Sequence, residues 1–376
     1  MSNKIHVGIL FGGQSGEHEV SLTSARAVMA ALDRDKYDVL PIGITKQGRW
    51  MAGVNALPAL EAMADPKLLP GGSSELRMNN EALRNVTEQS GAPNTALAAS
   101  DAQFSILNSS ISIDVVFPVL HGPMGEDGTL QGLLELAGVP YVGCGVLASS
   151  VGMDKAMMKA AFAANHLPQV PWLLIRRVDW ERDNHQTIGQ IETKLRYPMF
   201  VKPANLGSSV GITKAIDRDS LQRGLREASG YDRRIVIEQG IDAREIEVSI
   251  LGNDDPTASV PGEVVPSNEW YDYQAKYLGG ESRIIIPAPI APDLAEQVRD
   301  MGIRAFKAID GAGLARVDFL LDRAGGELYL NEANTMPGFT SVSMYAKMWE
   351  ASGLSYSALL DRLIELALER HSKHHQ

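Results

Sequence analysis

One cysteine is present in 376 residues, so no disulfide can form within the chain, and Cys144 alone cannot build a multi-cysteine zinc site or an iron–sulfur cluster. A lone thiol fits a reducing compartment, where its ordinary role is that of a small buried hydrophobe. Long apolar runs are missing too. Nothing approaches the ~18 consecutive apolar residues of a membrane span. The N-terminus, MSNKIHVGILFGG, has only a short apolar run ending in glycines, without the longer core and small-residue cleavage site of a secretory signal. The expectation is a cytoplasmic protein that does not engage a membrane. Positive charge is in deficit: 35 Lys and Arg against 46 Asp and Glu give a formal charge of −11, which speaks against nucleic acid as the main partner.

What is present is an ordinary globular balance, 44% hydrophobic and 22% charged, at a length that suits two or three domains. Ile5 to Phe11 is a β-branched run bounded by Gly12 and Gly13, and Glu19 to Leu32 repeats apolar residues at helical spacing; this predicts strand, tight loop, helix. The same order returns at Asp114 to Leu120, the loop His121 to Gly128, and a helical stretch Thr129 to Leu136. Two such units predict an α/β region with a parallel sheet and ligand-facing loops at the carboxyl ends of its strands. Residues from about 53 to 110, rich in Ala, Ser, Asn, Gly and Pro, read as an insertion. Beyond Val151 the pattern predicts strands at 172–176, 199–202, 234–239, 246–251, 315–322 and 327–331, interleaved with helices, the last spanning Tyr356 to Arg370. The tail from His371 is expected to be disordered.

Four segments carry chemistry. If Arg316 to Asp322 and Glu327 to Asn334 form a hairpin about Gly325, then Asp318 faces Glu332 and Arg316 faces Asn334. Strand side chains alternate faces, so all four share one face. Two carboxylates and an amide oxygen are hard ligands suited to a Mg²⁺ held jointly with phosphate; the bland alternative is a solvated ribbon with a salt bridge. Lys202, at a strand end before Pro203 to Gly211, offers a cation and flexible N–H groups to phosphate, although a Gly/Ser-rich stretch is also an ordinary turn. It is not a Walker A loop, in which the Lys follows the glycines. In Gly12 to Glu19 the dinucleotide fingerprint fails, because Phe11 stands in the place of its first glycine. Glu17 there is either a favourable dipole contact at a helix start or a counter-ion for a substrate ammonium. Trp270 to Gly280, aromatic and charged, is either a plain surface loop or a lid that excludes water.

Taken in order, GGQSGEHEVS, LHGPMGEDGTLQG, VGMDK, VKPANLGSSVG, IEQ, YDYQAKY, ARVDFLLD and NEANTMPG resemble the ATP-grasp carboxylate–amine ligases and, among them, those that join two D-alanine molecules. The likeness spans nearly the whole chain outside about 53–110. It implies an ATP-grasp fold: a Rossmann-like N-terminal domain over 1–150, a central subdomain over 151–245 and a C-terminal subdomain over 246–376. It also implies that Lys155 and Lys202 meet the ATP phosphates with Ser208 and Ser209, that Glu238 and Gln239 lie at the adenine, and that Glu245 takes the ribose. Asp318, Glu332 and Asn334 would hold two Mg²⁺, or Mn²⁺ in their place. Glu17 would pair with the ammonium of the first D-alanine and join Ser208 and Tyr277 in a hydrogen-bonded chain. His121 would line the substrate site, Lys276 would reach the transferred phosphate, and Ser343 would meet the second D-alanine's carboxylate. Arg316 and the backbone N–H of Gly338 would stabilise the tetrahedral oxyanion. Tyr277 resembles the dipeptide-forming type rather than the ligases that use D-lactate, which usually carry His in that lid. A homodimer is the family expectation.

Overall fold

The computed structural model describes residues 4–64, 113–207, 210–265 and 283–374. Ser208, Ser209, Lys276 and Tyr277, the lid stretch Trp270 to Gly280 and most of the expected insertion lie outside the described residues.

The chain opens with β1 (Ile5–Gly12), α1 (His18–Ala31), β2 (Tyr37–Ile44), β3 (Trp50–Ala52), α2 (Ala56–Met63), β4 (Val115–Pro118) and α3 (Thr129–Leu136). They form a sheet of order β3-β2-β1-β4, with β1 parallel to both β2 and β4 and β3 antiparallel at the edge. The loops after β1 and β4 therefore leave the same end of adjacent strands. Helix α1 buries Leu22, Ala25 and Val28 completely, one residue per turn, as its apolar spacing requires. Two features depart from the sequence reading. Strand β2 was not foreseen, because Pro41 interrupts it; the proline stands just before the residues that pair with β3, where its missing N–H breaks no ladder to that strand. Residues 56–63 are helical, and Ala56, Leu57 and Leu60 enter the core, so the start of the stretch read as an insertion belongs to this first layer.

Helix α4 (Val146–Met153) and α5 (Lys155–Ala164) lead into β5 (Trp172–Arg176), α6 (Arg177–Arg182), α7 (Asn184–Lys194), β6 (Met199–Pro203), β7 (Thr213–Ala215), α8 (Arg218–Tyr231) and β8 (Arg234–Gln239). These strands make an antiparallel sheet of order β5-β8-β6-β7. One face is dry, with Ile188, Ile191, Leu221 and Leu225 packed on Met199, Val201, Ile235 and Ile237. The alternate residues, Lys202 and Glu238 among them, face the other way, as strand alternation demands.

The third sheet comprises β9 (Ala243–Gly252), β10 (Thr257–Ala258), β11 (Gly262–Val265), β12 (Arg283–Ile285), β13 (Gly313–Asp322) and β14 (Leu328–Asn334), in the order β12-β11-β9-β13-β14 with β10 on β9. Helix α9 (Pro292–Ala308) covers one face, packing Val298, Met301, Ala305 and Phe306 on Ile246, Val248, Val317 and Phe319. Met158 and Phe162 of α5 enter the same core while Ala156 packs against Val236 of the central sheet, so α5 is shared between the two sheets. The chain closes with α10 (Met344–Ala351) and α11 (Tyr356–His374). Leu359, Leu360, Leu363 and Ile364 of α11 pack on the first sheet with Val7, Ile9 and Leu22. The tail expected to be disordered continues this helix to His374, with Lys373 paired to Asp254 and Glu369 at 2.9 Å each. Cys144 is buried, its thiol donating to the Leu314 carbonyl.

Candidate active site

The loop after β1 places Glu17 at the start of α1 without using its carboxylate as a cap. That carboxylate lies instead against the loop after β4: a Cβ on Gly122 would stand 2.6 Å from Glu17 Oε2, and one on Gly207 would stand 3.5 Å from the same atom. Glu17 thus sits beside the residue preceding Ser208, which brings the N-terminal loop to the Pro203–Gly211 loop.

His121 is 4% exposed. Its Nδ1 lies 3.2 Å from the Met336 carbonyl, an obligate acceptor, so Nδ1 carries the proton. Nε2 lies within hydrogen-bond distance of Ser24 Oγ, at 3.1 Å, and Ser24 Oγ accepts the Phe339 N–H at 3.4 Å. This chain fastens α1, the second loop and residues 336–339 to one another around Gly338. Glu126 Oε1 stands 3.4 Å from Nδ1. Burial pushes Glu126 up to about 7 although His121 pulls it down. Burial would lower His121, but its contacts with Glu126 and Glu17 leave it raised.

Lys155 ties down the candidate phosphate loop: its N–H donates to the Ala204 carbonyl at 2.8 Å and its Nζ to the Leu206 carbonyl at 2.6 Å. Asp154 caps α5 and is paired with Arg234 of β8. Across the central sheet, Lys202 Nζ meets Glu238 Oε2 at 2.6 Å, and Lys159 Nζ, from the next turn of α5, meets Glu238 Oε1 at 3.1 Å. Lys159 and Glu238 are only 1% and 3% exposed. Burial alone would raise Glu238, but the two ammonium groups outweigh it and hold its carboxyl at about 2. Lys202 is likewise raised against burial, by Glu238 first and then by Glu332 and Glu245 of the third sheet. Gln239 ends β8 with its side-chain oxygen taking the Arg196 N–H at 3.1 Å.

The hairpin β13–β14 pairs Arg316 with Asn334 and Asp318 with Glu332, the register read from the sequence. Nearer the turn the pairing is one residue out, Phe319 with Leu330, and a bulge between restores it at the site. Burial alternates along β13, with Arg316 and Asp318 only partly buried and Ala315, Val317 and Phe319 in the core. Arg316 grips Asp318 by two bonds of 2.7 Å and reaches Glu247 at 3.1 Å. Burial would lower Arg316, yet Asp318 and Glu247 raise it well above its ordinary value, so it stays charged. On the neighbouring β9, Glu247 pairs with Asp318 and Glu245 with Leu320. Glu247, Asp318 and Glu332 are therefore lateral neighbours on three strands, a like-charge row that needs cations. Asn334 Oδ1 accepts the Met336 N–H at 3.1 Å, which leaves its second lone pair for another partner. Among the described residues no three His, Cys, Asp or Glu side chains are grouped to hold a metal by themselves. The donors fit a hard ion that takes its remaining ligands from phosphate.

The loop from Thr335 to Ser343 joins these layers. A Cβ on Gly338 would stand 3.5 Å from Ser343 Oγ, which lies 2.8 Å from Thr340 Oγ1. Sequence reasoning missed Lys159, Glu126, Ser24 and Glu247. A trace of the first exists: Lys159 follows Lys155 by four, the spacing that puts two helix side chains on one face.

Two family profiles match the chain, one described as the D-ala D-ala ligase N-terminus over residues 6–144 and one as the D-ala D-ala ligase C-terminus over 161–365. The D-alanine–D-alanine ligase of Heliobacterium modesticaldum is 51% identical over 365 residues, covering 97% of this chain and 95% of that one. The ligase of the same name from Ruminiclostridium cellulolyticum is 48% identical over 373 residues, covering 98% and 96%. Among solved structures, the D-alanine–D-alanine ligase from Coxiella burnetii superposes with a TM-score of 0.79 at 35% identity, covering all of this chain and 97% of that one. The VanG D-Ala:D-Ser ligase from Enterococcus faecalis gives 0.78 at 32% identity, covering 97% and 100%.

Proposed function

The chain belongs to the D-alanine–D-alanine ligase family, and from that premise we propose that it joins two D-alanine molecules into D-alanyl-D-alanine, converting ATP to ADP and phosphate. The ATP-grasp fold, shared with its structural neighbours, lies behind this ATP-dependent ligase chemistry, which serves peptidoglycan precursor synthesis. The observation that carries the reading is Arg316 gripping Asp318 opposite Glu332, an anion-handling cluster facing the phosphate-loop lysine. Among the described residues no helix is long and apolar enough to cross a membrane; we place the reaction in the cytoplasm, in a homodimer.

Lys155 and Lys202, with Ser208 and Ser209, receive the triphosphate, Glu238 and Gln239 the adenine, and Glu245 the ribose. Asp318, Glu332 and Asn334 are the side chains that would hold Mg²⁺, two ions or Mn²⁺ in their place, and such ions supply charge neutralisation to the phosphates. Glu17 orients the first D-alanine by its ammonium beside His121, and the carboxylate of that D-alanine attacks the γ-phosphorus, giving D-alanyl phosphate and expelling ADP. Lys276 follows the transferred phosphoryl group. Ser343 takes the carboxylate of the second D-alanine, whose amine attacks the acyl carbon. The oxyanion that forms is stabilised by Arg316 and the N–H of Gly338, a contribution of about 3 to 4 kcal/mol per donor; its collapse expels phosphate. Glu17, Ser208 and Tyr277 tie lid and phosphate loop together, keeping water from the acylphosphate.

The test is ADP release with ATP, Mg²⁺ and each of D-alanine, D-serine, D-lactate and L-alanine. Release that requires D-alanine, and proceeds with D-alanine alone as acceptor, supports the assignment. Release supported only when D-lactate is the acceptor makes the protein a D-alanine–D-lactate ligase, and release without D-alanine overturns the reading.

A further inference from the structure

We infer that Lys159 is a positioning residue for nucleotide binding: by neutralising Glu238 from the protein interior, it leaves the charge of Lys202 available to the ATP phosphates. The geometry is a linear buried cluster. Glu238 has one oxygen on Lys159 at 3.1 Å and the other on Lys202 at 2.6 Å. The inner lysine is 1% exposed on α5, and the outer one, with 13% of its side chain exposed, stands directly before the loop Pro203–Gly211.

Charge counting separates this from a merely structural pair. Lys202 and Glu238 alone would be neutral, with the ammonium spent on its own carboxylate. A second ammonium makes the cluster net positive, and the surplus resides on the outer lysine, the one in reach of ligand. The remaining carboxylates that act on Lys202, Glu332 and Glu245, lie on the third sheet at the positions assigned to metal and ribose. Burying another ammonium costs several kcal/mol of desolvation, and apolar residues in place of a whole buried ion cluster are often neutral or stabilising. The neighbouring Met158, 1% exposed, shows that the buried side of α5 accepts a linear apolar side chain of similar length. A lysine at 159 is thus poorly explained by folding and well explained by anion binding. The phosphate loop is held by the same helix, one turn earlier, through Lys155, so α5 positions both the loop and the charge.

This inference rests on the assignment of Lys202 to ATP, and a charge-removing and a charge-keeping substitution at 159, each in the full chain, test it. Lys159→Met is expected to fold with its Tm lowered by no more than a few degrees, and to raise the KM for ATP about tenfold or more. Its kcat at saturating ATP and its KM for D-alanine should stay within about twofold, the signature of lost uniform binding. Lys159→Arg, which keeps the second positive charge beside Glu238, should hold the KM for ATP within about threefold of the wild type, a rescue that a role in packing alone does not predict. An unchanged KM for ATP in Lys159→Met, an equal loss in Lys159→Arg, or a Lys159→Met chain that cannot fold would each overturn the inference. A wild-type protein that shows no ATP turnover with D-alanine would instead overturn the function proposed above.

Discussion

Arg316 is shared between Asp318, which it grips through both carboxylate oxygens at 2.7 Å, and Glu247, 3.1 Å from its Nε. Removing Asp318 therefore does not leave a buried guanidinium without a counter-ion, the circumstance that makes loss of one partner severely destabilising. Asp318→Ala is expected to keep its fold and lose phosphate release by about a thousandfold or more, since it removes a phosphate-side ligand and lets Arg316 swing to Glu247. Steady-state phosphate release at rising Mg²⁺, with circular dichroism as the folding control, checks this; near-normal rates at saturating Mg²⁺ would show the metal site is elsewhere.

The hairpin was legible because its alternation is local: Ala315, Val317 and Phe319 bury while Arg316 and Asp318 do not. Its bulge also left a trace, since Asn331 and Glu332 are consecutive half-exposed residues between Leu330 and Ala333. Glu247 was not legible as a neighbour of Asp318, because the β9–β13 register is set by pairing between strands far apart in the chain. Lys159 was hidden for another reason: a lysine in an otherwise apolar helix reads as a solvated position until tertiary packing encloses it. Pro41 hid β2 by its local rule, and tertiary context overrode that rule. The strand-loop-helix order marked the loop His121 to Gly128 as ligand-facing, but only the contact with Met336 reveals that His121 reaches the other end of the chain.

Gly122 and Gly207 both face the Glu17 carboxylate, at different clearances. At Gly122 φ is +77° and an added Cβ would stand 2.6 Å from Glu17 Oε2, whereas at Gly207 the distance is 3.5 Å, an ordinary contact. Gly122→Ala must therefore displace Glu17 as well as bear a left-handed backbone cost of about 1 to 2 kcal/mol. The expected result is a KM for D-alanine raised about tenfold with little change in the KM for ATP, while Gly207→Ala stays within about threefold for both. Equal effects of the two substitutions would mean that Glu17 does not hold the amino acid.

Ser343 occupies the position before α10 but forms no side-chain cap; its Oγ turns back to Thr340, accepting that residue's N–H at 3.0 Å. A serine that caps a helix is worth about 1 kcal/mol, and here that role is unfilled. Ser343→Ala should accordingly shift Tm by only about 2 °C or less while raising the KM for D-alanine at the acceptor subsite about tenfold. The measurement is D-alanine saturation kinetics beside a thermal melt. A large loss of Tm without a kinetic change would assign Ser343 to the loop's structure.

Glu126 and His121 give the free protein a pH dependence of predictable sign. Glu126 moves from its ordinary 4.5 up to about 7, chiefly through burial. Between those values the folded chain keeps a proton that the unfolded chain has released. His121 is also raised above its ordinary 6.5, so just above that pH the folded chain again holds the extra proton. Stability falls with rising pH wherever the folded state binds more protons, so the pair favours the fold below about 4.5 and loses that favour as pH climbs through about 7. Glu238 acts in the opposite direction, its folded-state stabilisation lost as pH drops from 4.5 toward about 2, and the two windows do not overlap. Glu126→Gln removes the titrating carboxyl and the strongest of the groups that raise His121, leaving the weaker influence of Glu17 and the Met336 carbonyl, so both contributions should shrink together. Denaturant midpoints at intervals from pH 5 to 8.5 should decline more steeply for the wild type than for Glu126→Gln, and parallel curves would show that the pair is not coupled to folding.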